Sequence, residues 1–166
     1  MTAPRTPLAR IRLLVLDVDG VLTDGRLYYG SRGEELKVFH VRDGLGLKQL
    51  MQAGIGVSII SGRSSDAVVA RCRELGIAHL EQACDDKVAA LERILKTLGL
   101  SAADTLCVVD DTSDLPLMRS VGHAVAVADA HPDVQRAADR VTTLNGGQGA
   151  VREVCDWLLA AAGVRA

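Results

Sequence analysis

Two carboxylates close an apolar run at Leu13-Leu14-Val15-Leu16-Asp17-Val18-Asp19-Gly20-Val21-Leu22-Thr23. Buried without partners they would be costly, so the pattern places them at the carboxyl edge of a strand with a cation between them. From there Asp17 can act as a nucleophile or metal ligand, and Asp19, one loop step further, can transfer protons. Gly20 permits a sharp turn that brings backbone close to a ligand. A second acidic group, Asp110, Asp111 and Asp114, follows the apolar Leu106-Cys107-Val108-Val109. In a parallel sheet both runs end on the same edge, so Asp17, Asp19 and Asp110 can converge on one hard cation. Oxygen donors with no usable His or Cys point to magnesium, Mg2+.

A charge-balancing set stands between the two acidic groups. Ser61-Gly62-Arg63 directly follows Ile55–Ile60 and brings a hydroxyl, free backbone amides and a guanidinium to the same edge. Lys87, at the start of a helical pattern, adds an ammonium. Singly these residues also read as two capping Asp, a solvated acidic loop, a Ser-Gly turn and a solvated Lys. In chain order they form acid pair, hydroxyl, cation and acid cluster, each after a strand. That order describes phosphoryl transfer, in which magnesium and lysine offset the repulsion between a carboxylate nucleophile and a phosphate.

The elements that must hold these residues follow from hydrophobic patterning. Ile11–Leu16, Ile55–Ile60, Thr105–Val109 and Ala124–Val127 read as strands buried on both faces. Val68, Val69, Cys72 and Leu75 fall on one helical stripe, Val88, Leu91, Leu95 and Leu98 on another, with Ser64 and Asp85 as N-caps, and 149–162 forms a last helix. The alternation predicts an α/β fold, a doubly wound, Rossmann-like parallel sheet with helices on both faces. One segment interrupts it. Leu27-Tyr28-Tyr29, Gly30-Ser31-Arg32-Gly33 and Leu36–Val41 have the signature of a β-hairpin, inserted at about 25–41 before a helix near Gly44. Such an insertion overhangs the edge where open α/β sheets bind ligands.

At 166 residues the chain suits one domain, 1–166, with no room for a separate cap. A net charge of -2 argues against a nucleic-acid or anionic-membrane partner, and four aromatic rings are too few for a stacking surface. Arg5, Arg10 and Arg12 precede an apolar run that stops at Asp17, too soon for a signal or membrane segment. Cys72, Cys84, Cys107 and Cys155 form no C-x-x-C pair, which fits reduced thiols in the cytoplasm.

The set Asp17-x-Asp19-Gly20-x-x-Thr23, Ser61-Gly62-Arg63, Lys87 and Asp110-Asp111-x-x-Asp114 resembles the four motifs of the haloacid dehalogenase (HAD) superfamily of phosphohydrolases. Further matches at Thr23-Asp24-Gly25, Gly33-Glu34-Glu35-Leu36-Lys37, Val41-Arg42-Asp43-Gly44, Arg71-Cys72-x-x-Leu75-Gly76-Ile77 and 145–153 are similar to its capless branch acting on 3-deoxy-D-manno-octulosonate 8-phosphate (KDO 8-phosphate), a step of lipopolysaccharide precursor synthesis. The resemblance implies that Asp17 forms an aspartyl-phosphate and that Asp19 protonates the leaving alkoxide, then activates water. It implies Mg2+ on the Asp17 carboxylate, the Asp19 carbonyl and Asp110, with Asp111 or Asp114 on its waters. Ser61, Gly62 and Lys87 would hold phosphoryl oxygens, and Arg63 and Arg71 would meet the sugar acid's carboxylate. Phosphatases of nine-carbon sugar acids typically carry an acidic residue where Arg63 stands, which favours the eight-carbon substrate over that alternative.

Two departures stand out: Val109 where the family usually has Gly, with the expectation of crowding beside the metal, and Ala83-Cys84 where a Gly-containing pair is usual. A receiver-like phosphoacceptor uses similar residue types, but its adjacent acidic pair follows the first strand, whereas D-x-D-G places Asp19 to activate water. A non-catalytic assembly module is a third reading, set against the retention of every motif residue. Tyr28, Tyr29 and Phe39 all belong to the hairpin, leaving Trp157 alone in the last helix. With the family's tetramers in view, this suggests a homotetramer packed through hairpins that help roof each site.

Overall fold

The computed structural model describes residues 6–33 and 35–164, so Arg5 and Glu34 lie outside the described residues. Leu13–Leu16 (β1) has every side chain buried, as a strand covered on both faces must. The chain then leaves the sheet to form an antiparallel pair, Tyr28–Tyr29 (β2) and Glu35–Leu36 (β3). It returns through the helix Val41–Gln52 (α1) to Gly56–Ile60 (β4). Asp66–Leu75 (α2), His79–Glu81 (β5), Lys87–Leu98 (α3) and Thr105–Val109 (β6) follow. The remaining elements are Leu115–Ser120 (α4), His123–Ala126 (β7), Pro132–Ala137 (α5), Arg140–Val141 (β8) and Ala150–Ala161 (α6).

The main sheet is parallel throughout, in the order β5-β4-β1-β6-β7-β8. The chain winds outward from β1 to β5, crosses back to β6, and winds out the other way. The crevice at this reversal lies between the carboxyl ends of β1 and β6, where ligands of doubly wound sheets bind. Leu16 pairs with both Ile59 and Val108, so Asp17, Ser61 and Asp110 leave the sheet at nearly one level. α1 packs against α6 and α3 against α4, which covers both faces of the aliphatic core. Among the described residues, nothing larger than the hairpin stands apart from these layers.

Several expectations are corrected in detail. β5 and β8 carry no apolar signal because they are edge strands, half-buried at His79–Glu81 and exposed at Arg140–Val141. The second hairpin strand ends at Leu36 rather than Val41, because Lys37 turns inward and His40 already caps α1, its Nδ1 accepting from the Arg42 amide at 3.2 Å. The N-caps are Ser65 and Asp86, not Ser64 and Asp85; only Asp86 accepts from the helix, at 3.0 Å from the amides of Val88 and Ala89. Neighbouring like residues made the two positions indistinguishable by type. Val69 and Leu98 lie at the rim, and the buried stripe of α3 runs through Ala90, Leu91, Ile94 and Leu95.

One buried carboxylate joins the two helices that pack most extensively. Asp43 on α1 is 1% exposed and accepts from the Arg152 amide in the first turn of α6 at 2.8 Å. It therefore caps a helix distant in sequence, while burial pushes its carboxyl above the usual range. Asp43→Ala should lower unfolding free energy by about 1–3 kcal/mol, measured by urea denaturation, because it leaves buried amides without an acceptor.

Candidate active site

The loop after β1 is shaped by its own backbone. The amides of Val21, Leu22 and Thr23 all point to the Val18 carbonyl, at 3.2, 2.9 and 3.1 Å. Buried Thr23 receives the Gly20 and Gly25 amides on its hydroxyl at 3.4 and 3.2 Å, which ties the turn to the start of the hairpin. Gly20 sits at φ 83°, and a Cβ there would collide with the Asp110 carboxylate. The turn can pass beside the second acidic group only because this position is bare.

Asp17, Asp110 and Asp114 each place one carboxylate oxygen within 4.8 Å of the others. Lys87, the first residue of α3, reaches in from the next layer: its Nζ lies 2.9 Å from Asp17 and 2.6 Å from Asp114. Burial alone would lower the lysine, but Asp17 and Asp114 outweigh it and hold the ammonium above its ordinary value. Burial, with Asp17 and Asp114 alongside, pushes Asp110 up to about 7. Burial and then Asp17 push Asp114 up to about 6 against the pull of Lys87. Three carboxylates facing one ammonium leave the cluster short of positive charge. Asp114, fully buried, also turns its Oδ2 inward with no hydrogen-bond donor among the described residues. An all-oxygen donor set, an orphaned buried carboxylate oxygen and this charge deficit fit a hard divalent cation.

Asp19 belongs to a different group of side chains. Its carboxylate faces the hairpin, with Lys37 Nζ 2.5 Å from Oδ1 and Arg63 Nε 3.5 Å from Oδ2. Ser61 is buried at the end of β4, its amide bonded to the Glu81 carbonyl at 2.9 Å and its Oγ accepting from the Arg63 amide at 3.3 Å. Asp17, Asp19, Ser61, Gly62, Arg63 and Lys87 line one cleft of about 370 Å³ with Asp110 and Asp111.

The expected residues therefore converge, with three differences. Asp111 lies at the cleft wall but turns its carboxylate to its own loop, accepting from the Thr112 amide at 2.6 Å. Asp114, expected to stand behind the metal, contributes its carboxylate directly to the cluster. Arg71 lies outside this cleft, paired with Glu74 at 2.8 Å and 5.7 Å over the Phe39 ring. At the two motif departures, Val109 is the last residue of β6, fully buried and directly before Asp110. Ala83 adopts φ 53°, a conformation that glycine takes without strain, which explains why glycine is usual at this pair. Lys37, Glu35 and Tyr29 escaped the sequence reading as site residues; the two-residue spacing of Glu35 and Lys37 puts them on one face of an extended segment, but nothing local says that this face is buried.

Residues 82–154 match the haloacid dehalogenase-like hydrolases. The chain is 51% identical over 158 residues to the 3-deoxy-D-manno-octulosonate 8-phosphate phosphatase of Salmonella typhi, covering 95% of this chain and 84% of that one. The fold superimposes on the corresponding phosphatase of Yersinia pestis with a TM-score of 0.92 at 48% identity, over 94% of this chain and 84% of the other. It superimposes equally on the Moraxella catarrhalis phosphatase solved with magnesium, phosphate and KDO, with a TM-score of 0.91 at 44% identity over 94% and 90% of the two chains.

Proposed function

The chain belongs to the 3-deoxy-D-manno-octulosonate 8-phosphate phosphatases of the haloacid dehalogenase-like hydrolases, and we propose that it hydrolyses that phosphomonoester to the free sugar acid and phosphate. The observation that carries this reading is Lys87 bridging Asp17 and Asp114 beside Asp110, with Asp19 at the same mouth. An Asp17 oxygen attacks phosphorus, the bond from phosphorus to the sugar oxygen breaks, and Asp19 delivers its proton to that oxygen. Asp19 then takes a proton from the water that attacks the aspartyl-phosphate, which releases phosphate and restores Asp17. Lys87, the Ser61 hydroxyl and the Gly62 amide hold the phosphoryl oxygens. Asp17, Asp110 and the Asp19 carbonyl would hold Mg2+, with Asp114 beside them and Asp111 toward solvent. When bound, the metal neutralises repulsion between the Asp17 carboxylate and the phosphate.

Magnesium-dependent phosphate release from KDO 8-phosphate by the purified protein tests this directly. Equal turnover of unrelated sugar phosphates overturns the substrate assignment, and stable phosphorylation without turnover favours a phosphoacceptor. Arg63, 43% exposed at the cleft mouth, is the residue placed to meet the substrate's carboxylate. Arg63→Glu should reduce kcat/KM for KDO 8-phosphate roughly tenfold to a hundredfold more than for a small aryl phosphate, the scale of a lost charged hydrogen bond. Parallel losses on both would assign Arg63 to supporting the site.

The chain forms one phosphatase domain over 1–166 with a hairpin inserted at about 25–41, and it works in the cytoplasm. All four cysteines are free, and no helix among the described residues is long and apolar enough to cross a membrane. Its assembly is a homotetramer through the hairpin. Leu36, Val38 and Val41 are 68%, 64% and 78% exposed there, an apolar surface that a single chain leaves uncovered. Light scattering at micromolar concentration should give a tetramer mass; a fully active monomer overturns it.

A further inference from the structure

We propose that Lys37 is a positioning residue for Asp19, so that each subunit's own hairpin orients its proton-transferring carboxylate. The proposal rests on the reading of Asp19 as the group that protonates the leaving alkoxide. A lysine is rarely buried unless paired, yet the Lys37 side chain is 1% exposed. Its Nζ stands 2.5 Å from Asp19 Oδ1 and 2.5 Å from Glu35 Oε1. Arg63 closes the ring on the other side, with Nε 3.5 Å from Asp19 Oδ2 and Nη2 3.3 Å from Glu35 Oε2. The Tyr29 hydroxyl receives the same Arg63 nitrogen at 3.0 Å. Glu35, from β3, thus anchors both cations, and each cation holds one Asp19 oxygen.

The two cations differ in what they can release. Arg63 lies at the cleft mouth, 43% exposed, where it can swing out to solvent or turn to a substrate carboxylate. Lys37 lies beneath, paired with two carboxylates and closed to solvent. When Arg63 turns away, Oδ2 is freed toward the leaving group while Oδ1 stays clamped. The loop alone leaves the Asp19 side-chain torsions unset, because its hydrogen bonds fix backbone around Val18, Gly20 and Thr23. Lys37 supplies the missing constraint. The proton donated as the sugar–phosphorus bond breaks is therefore the one on Oδ2, and the same oxygen takes the water proton in the second half of the reaction.

The test compares kcat/KM for phenyl phosphate and 4-nitrophenyl phosphate in the wild type, Asp19→Asn, Lys37→Met and Lys37→Arg. Neither ester carries a carboxylate for Arg63, and kcat/KM reports the steps through transfer to Asp17. Phenolate needs the proton far more than nitrophenolate does. A ratio of two substrates on one preparation is also insensitive to how much of it is folded. General acid catalysis is worth about 10²–10⁴-fold, so Asp19→Asn should widen the nitrophenyl-over-phenyl ratio by roughly that order. Lys37→Met should widen it by at least about tenfold, and Lys37→Arg should restore part. A wider ratio in Asp19→Asn with none in Lys37→Met overturns the role of Lys37 alone. An unchanged ratio in Asp19→Asn overturns the reading of Asp19, and this proposal with it.

Discussion

Asp17→Asn is expected to reduce phosphate release from KDO 8-phosphate by roughly four to six orders of magnitude, the scale at which loss of a covalent nucleophile acts. An amide nitrogen or oxygen is a poor nucleophile toward phosphorus, and no neighbouring carboxylate can replace it. Asp114 is fully buried beneath, and Asp110 faces the cluster from β6. The substitution keeps the side chain's shape and its acceptor toward the Val18 amide, 2.7 Å away. Lys87 keeps Asp114 as partner at 2.6 Å, so the melting temperature should change little. Phosphate release followed beside a thermal melt separates lost chemistry from lost folding. Turnover within tenfold of wild type in a folded protein would remove Asp17 from the nucleophile's role.

Gly146→Ala, far along the chain from any catalytic carboxylate, should cost about a hundredfold or more in kcat, the effect of ångström-scale misplacement of reacting groups. The glycine is half-way through a loop that backs the catalytic turn: its amide binds Asp129 at 2.9 Å, and the Gly147 amide binds the Val21 carbonyl at 2.9 Å. A Cβ on Gly146 would land inside the Gly20 carbonyl oxygen and against the Thr23 carbonyl. Both obstacles are backbone, so no side-chain rotation relieves them. Either the Asp19-Gly20 turn moves or the loop gives up its two hydrogen bonds. Overpacking of this kind also costs about 1–3 kcal/mol of stability. Steady-state kinetics and a denaturation curve on the same preparation check both; full activity would show that the loop yields without moving the turn.

How far the sequence led depended on whether a residue's surroundings were local. β1, β4, β6 and β7 announce themselves because strands covered on both faces are aliphatic throughout, and a parallel arrangement then dictates that Asp17, Ser61 and Asp110 share an edge. Lys87 followed from its place at the head of a helix. β5 and β8 were invisible because edge strands need no apolar run. The burial of Lys37 was invisible for another reason: a lysine in an alternating hairpin ordinarily faces water, and only the tertiary fold brings Asp19 and Glu35 around it. The place of Arg71 was equally out of the sequence's reach, since where a helical arginine points depends on packing, here over Phe39 and beside Glu74.

The reversal of strand order between β1 and β6 divides the molecule into two margins with different freedoms. Every group assigned to the reaction hangs from the carboxyl margin or from the hairpin above it. The opposite margin carries connections, among them those at Gly54 and Gly99, where the left-handed backbone favours glycine but no neighbouring atom stands within 4 Å of an added Cβ. Substitution and lengthening there are restrained by folding alone. For evolution, that margin is where lineages of this enzyme can diverge without touching catalysis. For engineering, it is the place to graft a tag, a linker or a second catalytic unit.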